Sequence, residues 1–378
     1  MIKKTLCSFI LLLVILSGGC WSYRGLNEMS IVSGFAIDKD GESGEIKVSF
    51  QIVDLVGNIE IEGINGKLLE SSGKTIFDAC RNAKRSIVGR LYFGHAQIMV
   101  ISEDIARNED LKKTIDWMLH DAEVRETITL VISKGATAKE ILNHETIVGP
   151  IVAYDVNKYI EEDNKITAST SYKQLYEVYN TLEDEGIDLT LSAIKNVDNN
   201  GQYIAELCGT AVFKGERLAG YLSPDESKYL LFATDKVKGG LLTFPASGEG
   251  KDDVTLEIFE NKTKRTFSYK EGKPIIEIET ETDVFLAECN AHLDLLDEQQ
   301  ISMLEQNAAK TLAGRTAQLI SKVQSEFGAD IFGFGNMIHK KDHVLWHKLS
   351  SKWDTLFPKL EVVVHAKINI INTSSSKE

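Results

Sequence analysis

Cysteine is scarce in this chain, with five in 378 residues, which excludes a disulfide-stapled scaffold. Proline is equally scarce, also five, which excludes a long Pro-rich linker or stalk. Basic charge is in deficit. Lys and Arg number 42 against 56 Asp and Glu, a net charge of −14. That argues against nucleic acid as a partner, because such binding needs a basic face. It argues equally against a polybasic grip on anionic lipid. Beyond the first twenty residues no stretch approaches the 18 apolar residues of a membrane span. Catalytic signatures are missing too: no Gly-x-Ser-x-Gly, no P-loop, no His-Glu-x-x-His and no Cys-x-x-Cys. Phe332-Gly333-Phe334-Gly335 contains a Gly-x-Gly, but Ile338 stands where a dinucleotide fingerprint needs its third glycine. The remaining composition, 43% hydrophobic and 26% charged, is that of a globular chain of two or three domains.

The N-terminus is distinctive. Lys3 and Lys4 precede a mostly apolar run from Leu6 to Leu16, the n- and h-regions of a secretory signal. The run is too short to span a bilayer and ends in Leu16-Ser17-Gly18-Gly19-Cys20. Small residues before a cysteine admit a lipoprotein signal peptidase, so Cys20 is expected to be the first mature residue. Its thiol would carry a diacylglyceryl group, with or without an N-acyl chain on the new N-terminus. The alternatives are an ordinary cleaved signal or a buried N-terminal helix. Two acyl chains at about 0.8 kcal/mol per buried CH₂ anchor a protein without any spanning helix. Removing residues 1–19 leaves 40 basic against 56 acidic residues, a net charge of −16. Cys80, Cys208 and Cys289 remain, and small buried hydrophobes are the expected role for all three.

Hydrophobic periodicity predicts an α+β fold with mixed and antiparallel sheets packed by helices. Residues 31–37 and 46–52 form a hairpin around the Asp38–Gly41 turn, and residues 57–73 an exposed excursion. Thr75 is placed to cap a helix, and Thr137 to open another through Glu140. One helix is expected over 103–120 and short strands over 96–101 and 127–133. An acidic segment over about 155–195 would connect two larger units. Asp198-Asn199-Asn200-Gly201 marks a candidate boundary, giving an N-terminal α+β region over 20–197, itself of two subdomains, and a C-terminal α+β domain over 198–372. The second half reads as an antiparallel meander of short strands and a long helix over 297–327 lying across it, with a last strand at 360–371. Residues 373–378 form a frayed tail.

Candidate chemistry is thin. His339, His343 and His347 would share one helix face, a spacing that chelates Zn²⁺ or Ni²⁺. Lys340 and Lys341 are adjacent and no second ligand cluster is evident, so a polar face beside Trp346 and Trp353 competes with that reading. Arg90 and His95 could share a site, although a loop histidine satisfied by backbone is the plainer reading. Glu161–Asp163 lacks the spacing of a calcium loop and reads as a solvated face. Phe332 and Phe334, beside glycines at a helix end, are candidates for partner docking or for the core.

Gly19-Cys20-Trp21-Ser22-Tyr23-Arg24-Gly25-Leu26-Asn27-Glu28 resembles the mature start of the C subunits of Ger-type spore germinant receptors. Ser72–Ala79, Leu91-Tyr92-Phe93-Gly94-His95 and Asp121-Ala122-Glu123-Val124-Arg125 follow in the family's order. So do Gly209–Lys214, Leu218–Leu222, Lys236–Gly240, Asp330–Gly335 and the Trp346 and Trp353 pair. The sequence departs from the pattern at Ser17 and at Ile370-Ile371-Asn372. The resemblance implies a noncatalytic lipoprotein subunit of a nutrient receptor, with three α+β domains in an elongated body. It would sit on the extracytoplasmic face of the spore inner membrane, held by Cys20 and docked on integral-membrane A and B subunits, without a cofactor. Trp21, Arg24, Arg90, Phe332 and Phe334 are the docking candidates. An extracytoplasmic solute-binding lipoprotein, holding a small nutrient directly, is the alternative, and a cell-wall hydrolase is a third class with no placeable site.

Overall fold

The computed structural model describes residues 28–54, 65–119, 123–144, 148–246, 254–270, 272–290 and 297–371. Cys20, Trp21, Arg24, the Asp121-Ala122 pair and the tail at 373–378 lie outside the described residues.

Two sheets organise the chain. The first begins with the expected hairpin of β1 (Met29–Lys39) and β2 (Ile46–Asp54), with Phe35 facing Phe50 and Ile37 facing Val48. β3 (Asn65–Gly73) pairs with β2 where an exposed excursion was expected. It is a half-exposed edge strand, so only one weak apolar face was there to be read. α1 (Ile76–Asn82) starts at Thr75, whose hydroxyl accepts from the Asp78 N–H. The short β4 (Arg90–Tyr92) runs parallel to the first residues of β1. β5 (Ile98–Ser102) and β6 (Thr129–Ser133) are continuous apolar runs with every residue buried, as parallel strands covered on both faces must be.

Between β5 and β6, the single helix expected over 103–120 is two, α2 (Glu103–Asn108) and α3 (Leu111–Leu119). Glu109 turns extended and breaks the helix, although the apolar spacing continues across it. α4 (Ala138–Leu142) opens with the predicted Thr137–Glu140 capping box. α5 (Val152–Ile166) and α6 (Leu175–Glu183) occupy the acidic segment. Their apolar stripes cover the sheet: Val152, Val156 and Ile160 join Ala36, Ile98 and Val131, while Leu175 and Val178 join Phe35 and Met99 on the other face. The acidic residues that suggested a connector largely sit on the outward sides of these helices.

β7 (Thr190–Asn199), β8 (Gln202–Lys214) and β9 (Arg217–Leu222) complete the sheet, in the order β3-β2-β1-β5-β6-β7-β8-β9 with β4 beside β1. The Asp198–Gly201 turn is therefore a hairpin, and strand pairing continues across the boundary expected at 198 as far as Leu222. An Asn-Gly turn signal is the same for a hairpin as for a linker.

The second sheet follows α7 (Pro224–Ala233), which Ser223 and Glu226 cap and Pro224 begins. It runs β10 (Leu241–Phe244), β11 (Val254–Lys270), β12 (Lys273–Cys289) and β13 (Glu361–Ile370). Over 254–289 the short strands expected for the meander are two long ones. A register shift between Ile258 and Glu260 interrupts the alternation and made one strand read as two. α8 (Glu298–Lys322), capped by Asp297, buries Leu304, Ala308, Leu312 and Leu319 against this sheet, as expected. It also carries the chain back, so β13 is parallel to β12 and the sheet is antiparallel only over its first three strands. α9 (Phe334–Lys341), α10 (His343–Leu349) and α11 (Trp353–Leu356) fill the space between α8 and β13 in the chain.

Every described residue of the three apolar cores lies C-terminal to Glu28, and a chain beginning at Trp21 contains all of them. Cys208 is buried as expected, and burial pushes its thiol up to about 11. Cys80 and Cys289 are only partly buried, a departure from the expected role.

Candidate functional site

The end of the molecule where the N-terminal segment arrives is built by β1 and β4. Met29, Ser30 and Ile31 pair with Arg90, Leu91 and Tyr92, and the Ser30 hydroxyl donates to the Val88 carbonyl at 2.8 Å. This pairing fixes Arg90 at the mouth of a cavity of about 330 Å³. Phe77, Cys80, Ile87, Leu91, Phe93 and Trp117 supply its walls, and Arg81, Lys84, Arg90 and Glu123 its polar groups. The Arg90 guanidinium pairs with Glu123 at 3.1 Å. Lys84 donates to the Gly89 carbonyl at 2.7 Å, and the Arg81 guanidinium lies 4.8 Å from the centre of the Phe77 ring. Trp117 packs edge-on to Phe35 and Phe93, and its buried indole N–H has no acceptor among the described residues. His95 does not line this cavity; it is exposed, with its ring edge-on to Tyr92.

The three histidines do not share one helix. Asp342 caps α10 through the Leu345 N–H, so His339 lies in the last turn of α9 while His343 and His347 belong to α10. Their rings still run in a row, with centroids 5.0 Å apart for His339 and His343 and 5.3 Å for His343 and His347. The first stacks on Trp346 at 5.9 Å, which makes the row part of an aromatic face. Among the described residues no group of three His, Cys, Asp or Glu side chains is arranged to hold a metal ion.

Phe332 and Phe334 are core residues, only 1% and 0% exposed, stacked on each other at 5.2 Å, and so cannot serve as a docking surface. Phe334 also packs near Phe357. The glycines between and after them serve close packing around Asp330. Its carboxylate accepts from the N–H groups of Phe334 (3.1 Å) and Gly335 (2.8 Å) and from the Trp353 indole (3.1 Å). Burial pushes this carboxyl up to about 6, against the opposing effect of the three donors. The same segment is buckled to the chain after α6. Asp330 N donates to Asp188 Oδ2 at 2.7 Å, Asp188 N to the Asp330 carbonyl at 2.9 Å, and Asn336 N to the Gly186 carbonyl at 2.8 Å. Trp346 Nε1 donates to Glu185 Oε2 at 2.6 Å. Residues 185–188 precede β7 of the first sheet, so this network joins the two halves of the chain.

A second opening of about 640 Å³ lies between α5 and β8. Val148, Val152, Val156, Ile166, Ile204 and Leu207 make it largely apolar. Several of its polar groups already serve the fold. Asp163 accepts from Thr167, Ser169 and Thr170, Asp155 from the Gly149 N–H, and the Tyr159 hydroxyl donates to the Ala205 carbonyl. Burial raises the Tyr159 hydroxyl above the usual phenol range.

Sequence reasoning found Arg90 but missed Arg81, Lys84 and Trp117. They come from different elements, and no spacing in the sequence announces that α1, α3 and β4 meet. It also missed Asp188 and Asp330 as partners, which stand 142 residues apart in the chain.

Among the described residues no helix is long and apolar enough to cross a membrane. Residues 22–196 match the family described as "Spore germination protein N-terminal domain", and residues 208–374 the one described as "Spore germination B3/ GerAC like, C-terminal". Spore germination protein KC of Bacillus subtilis (strain 168) is 25% identical, over 99% of this chain and 97% of its own length. Spore germination protein B3 of the same organism is 24% identical, over 94% of each chain. The crystal structure of the GerBC protein superposes with a TM-score of 0.57 at 21% identity, covering 92% of this chain and all of that one, and so shares the fold. Two family domains in order, filling nearly the whole length, place this chain in the GerAC-like family of spore germination proteins, that of the Ger-type germinant receptor C subunits.

Proposed function

We propose that this chain is the lipid-anchored, noncatalytic subunit of a spore germinant receptor, needed for the response to nutrients. Cys20 holds it on the extracytoplasmic face of the spore inner membrane, and integral-membrane A and B subunits are its partners. The observation that carries this reading is the match, in order and over nearly the whole chain, to spore germination proteins. The signal-like start ending in Gly18-Gly19-Cys20 supports the anchor. A diacylglyceryl group there, with or without N-acylation, supplies attachment that no described helix offers.

The test is Cys20→Ala in spores, read by palmitate labelling, membrane fractionation and nutrient germination. The expected result is no label, release of nearly all of the chain from the membrane fraction, and loss of the nutrient response. Full retention and a normal response would overturn the anchor. A direct solute-binding role has one observation in its favour, the opening between α5 and β8. Calorimetry of the chain beginning at Trp21 against amino acids and sugars separates the two: a saturable isotherm favours solute binding, and flat heats favour the receptor subunit that leaves the nutrient to its partners.

A further inference from the structure

We propose that the cavity beneath α1 and β4, with its basic rim, holds the phosphate headgroup of an anionic phospholipid in the membrane to which the chain is tethered. The location rests on the reading of Cys20 as the anchor. From Cys20 to Glu28 is eight residues, a reach of at most about 29 Å when fully extended. β1 begins at Met29, paired to Arg90, so the tether delivers this end of the fold to the lipid surface.

The charged groups lining this cavity are more basic than the chain as a whole. The chain carries −14, yet Arg81, Lys84 and Arg90 converge on one cavity, and Arg85 is exposed one residue beyond Lys84. Glu123 offsets one of these charges through Arg90. Composition therefore hid a local basic site by averaging it with acidic surface elsewhere. Beside the basic groups stand two exposed apolar side chains, Phe77 at 46% and Val88 at 88% exposure. Basic groups interleaved with protruding apolar ones suit the boundary between headgroups and acyl chains, where a cation meets phosphate and an aromatic ring sits just below it.

The Trp117 ring lines this cavity, while its indole N–H is shielded from solvent. A phosphate or glycerol oxygen entering between Arg81 and Arg90 meets two guanidinium groups. The apolar walls formed by Ile87, Leu91 and Phe93 receive the first carbons of the lipid. At a volume of about 330 Å³ the cavity takes a headgroup and not a whole lipid.

The experiment is flotation of the chain beginning at Trp21 with vesicles of phosphatidylcholine alone, or with one third phosphatidylglycerol. This chain lacks Cys20, so the result is independent of acylation; palmitate labelling of the full chain reads the anchor separately. The expected result is binding to the anionic vesicles only, weakening as salt rises. Arg81→Glu with Lys84→Glu should weaken it by at least about thirtyfold, since each basic group near an anionic surface contributes about a factor of five. Both side chains are exposed, so the melting temperature should fall by only a few degrees, and Lys139→Glu, on α4, should bind as the parent does. Three outcomes overturn the proposal: equal binding by the double variant, equal binding to neutral vesicles, or no binding by the parent. So does saturation by soluble glycerol 3-phosphate at the vesicle affinity, which would mark a site for a free small anion.

Discussion

Replacing Asp330 by alanine should lower the melting temperature by about 10 °C at pH 4. Three donors converge on this carboxylate, the N–H groups of Phe334 and Gly335 and the Trp353 indole, at a position with 1% exposure. Alanine offers none of them an acceptor, and water has little access. Each stranded buried donor costs about 1–3 kcal/mol, so a total of about 3–5 kcal/mol is expected. For a unit of this size each kcal/mol corresponds to about 2–4 °C. Germination should fail in proportion to the folded chain lost. A variant melting within a degree or two of the parent would show that the network does not hold the structure together.

The same substitution has a pH signature. Burial raises the folded-state value of Asp330 to about 6, above its ordinary 3.8, so the native state holds this proton more tightly than the unfolded chain. The stabilisation that results is fully present below the unfolded value and is lost as pH rises through about 6. The gap in stability between parent and Asp330→Ala should therefore be widest near pH 4 and narrow toward pH 7. A change of about two units corresponds to about 3 kcal/mol. Chemical denaturation of both proteins across this range is the measurement, and a gap constant with pH would contradict the assignment.

Gly186→Ala should be nearly as damaging, for a steric reason. Gly186 has φ +71°, and a Cβ there would stand 2.6 Å from the Gly335 carbonyl carbon, 2.6 Å from Trp346 and 2.7 Å from the Asn336 nitrogen. Two of these three contacts are backbone at the start of α9, which cannot withdraw without breaking the bond from Asn336 N to the Gly186 carbonyl. The left-handed backbone alone costs alanine about 1–2 kcal/mol, and overpacking adds about 1–3. Gly44 is an internal control, with the same φ of +71° but open space around it. Gly44→Ala should show only the conformational cost, so the difference between the two variants isolates the contact between the halves. Equal losses would mean that the halves are not pressed together at this point. Proteolysis should cut the Gly186 variant faster near residues 184–190.

These two positions explain why part of the sequence reading failed. Phe332, Gly333, Phe334 and Gly335 carry large apolar groups beside glycines, a pattern shared by docking patches and tight packing. The sequence has no term for Asp188, far away in the chain, which seals the segment from the other side. The row of histidines misled for a local reason. A spacing of four predicts one helix face, but Asp342 capped a new helix inside the run. Helix starts were legible because caps are local: Thr75, Thr137 and Asp297 all stand where expected. Strand β3 and the continuity of β11 and β12 were not, because edge exposure and a bulge both weaken alternation.

By itself, the sequence determined the α+β class, the cap positions, the fully apolar central strands and the ordered segments that mark the family. These depend on neighbours within a few residues or on the linear order of motifs. Only the tertiary structure decided that one sheet runs past the Asp198–Gly201 turn to Leu222 and that β13 returns parallel to β12. It alone decided that Phe332 and Phe334 are buried and that Arg81, Lys84, Arg90 and Trp117 share a cavity. The physical reason is the same in each case. Burial and convergence are set by elements that meet in space after long separations in the chain, and a net charge or a local spacing averages over those meetings.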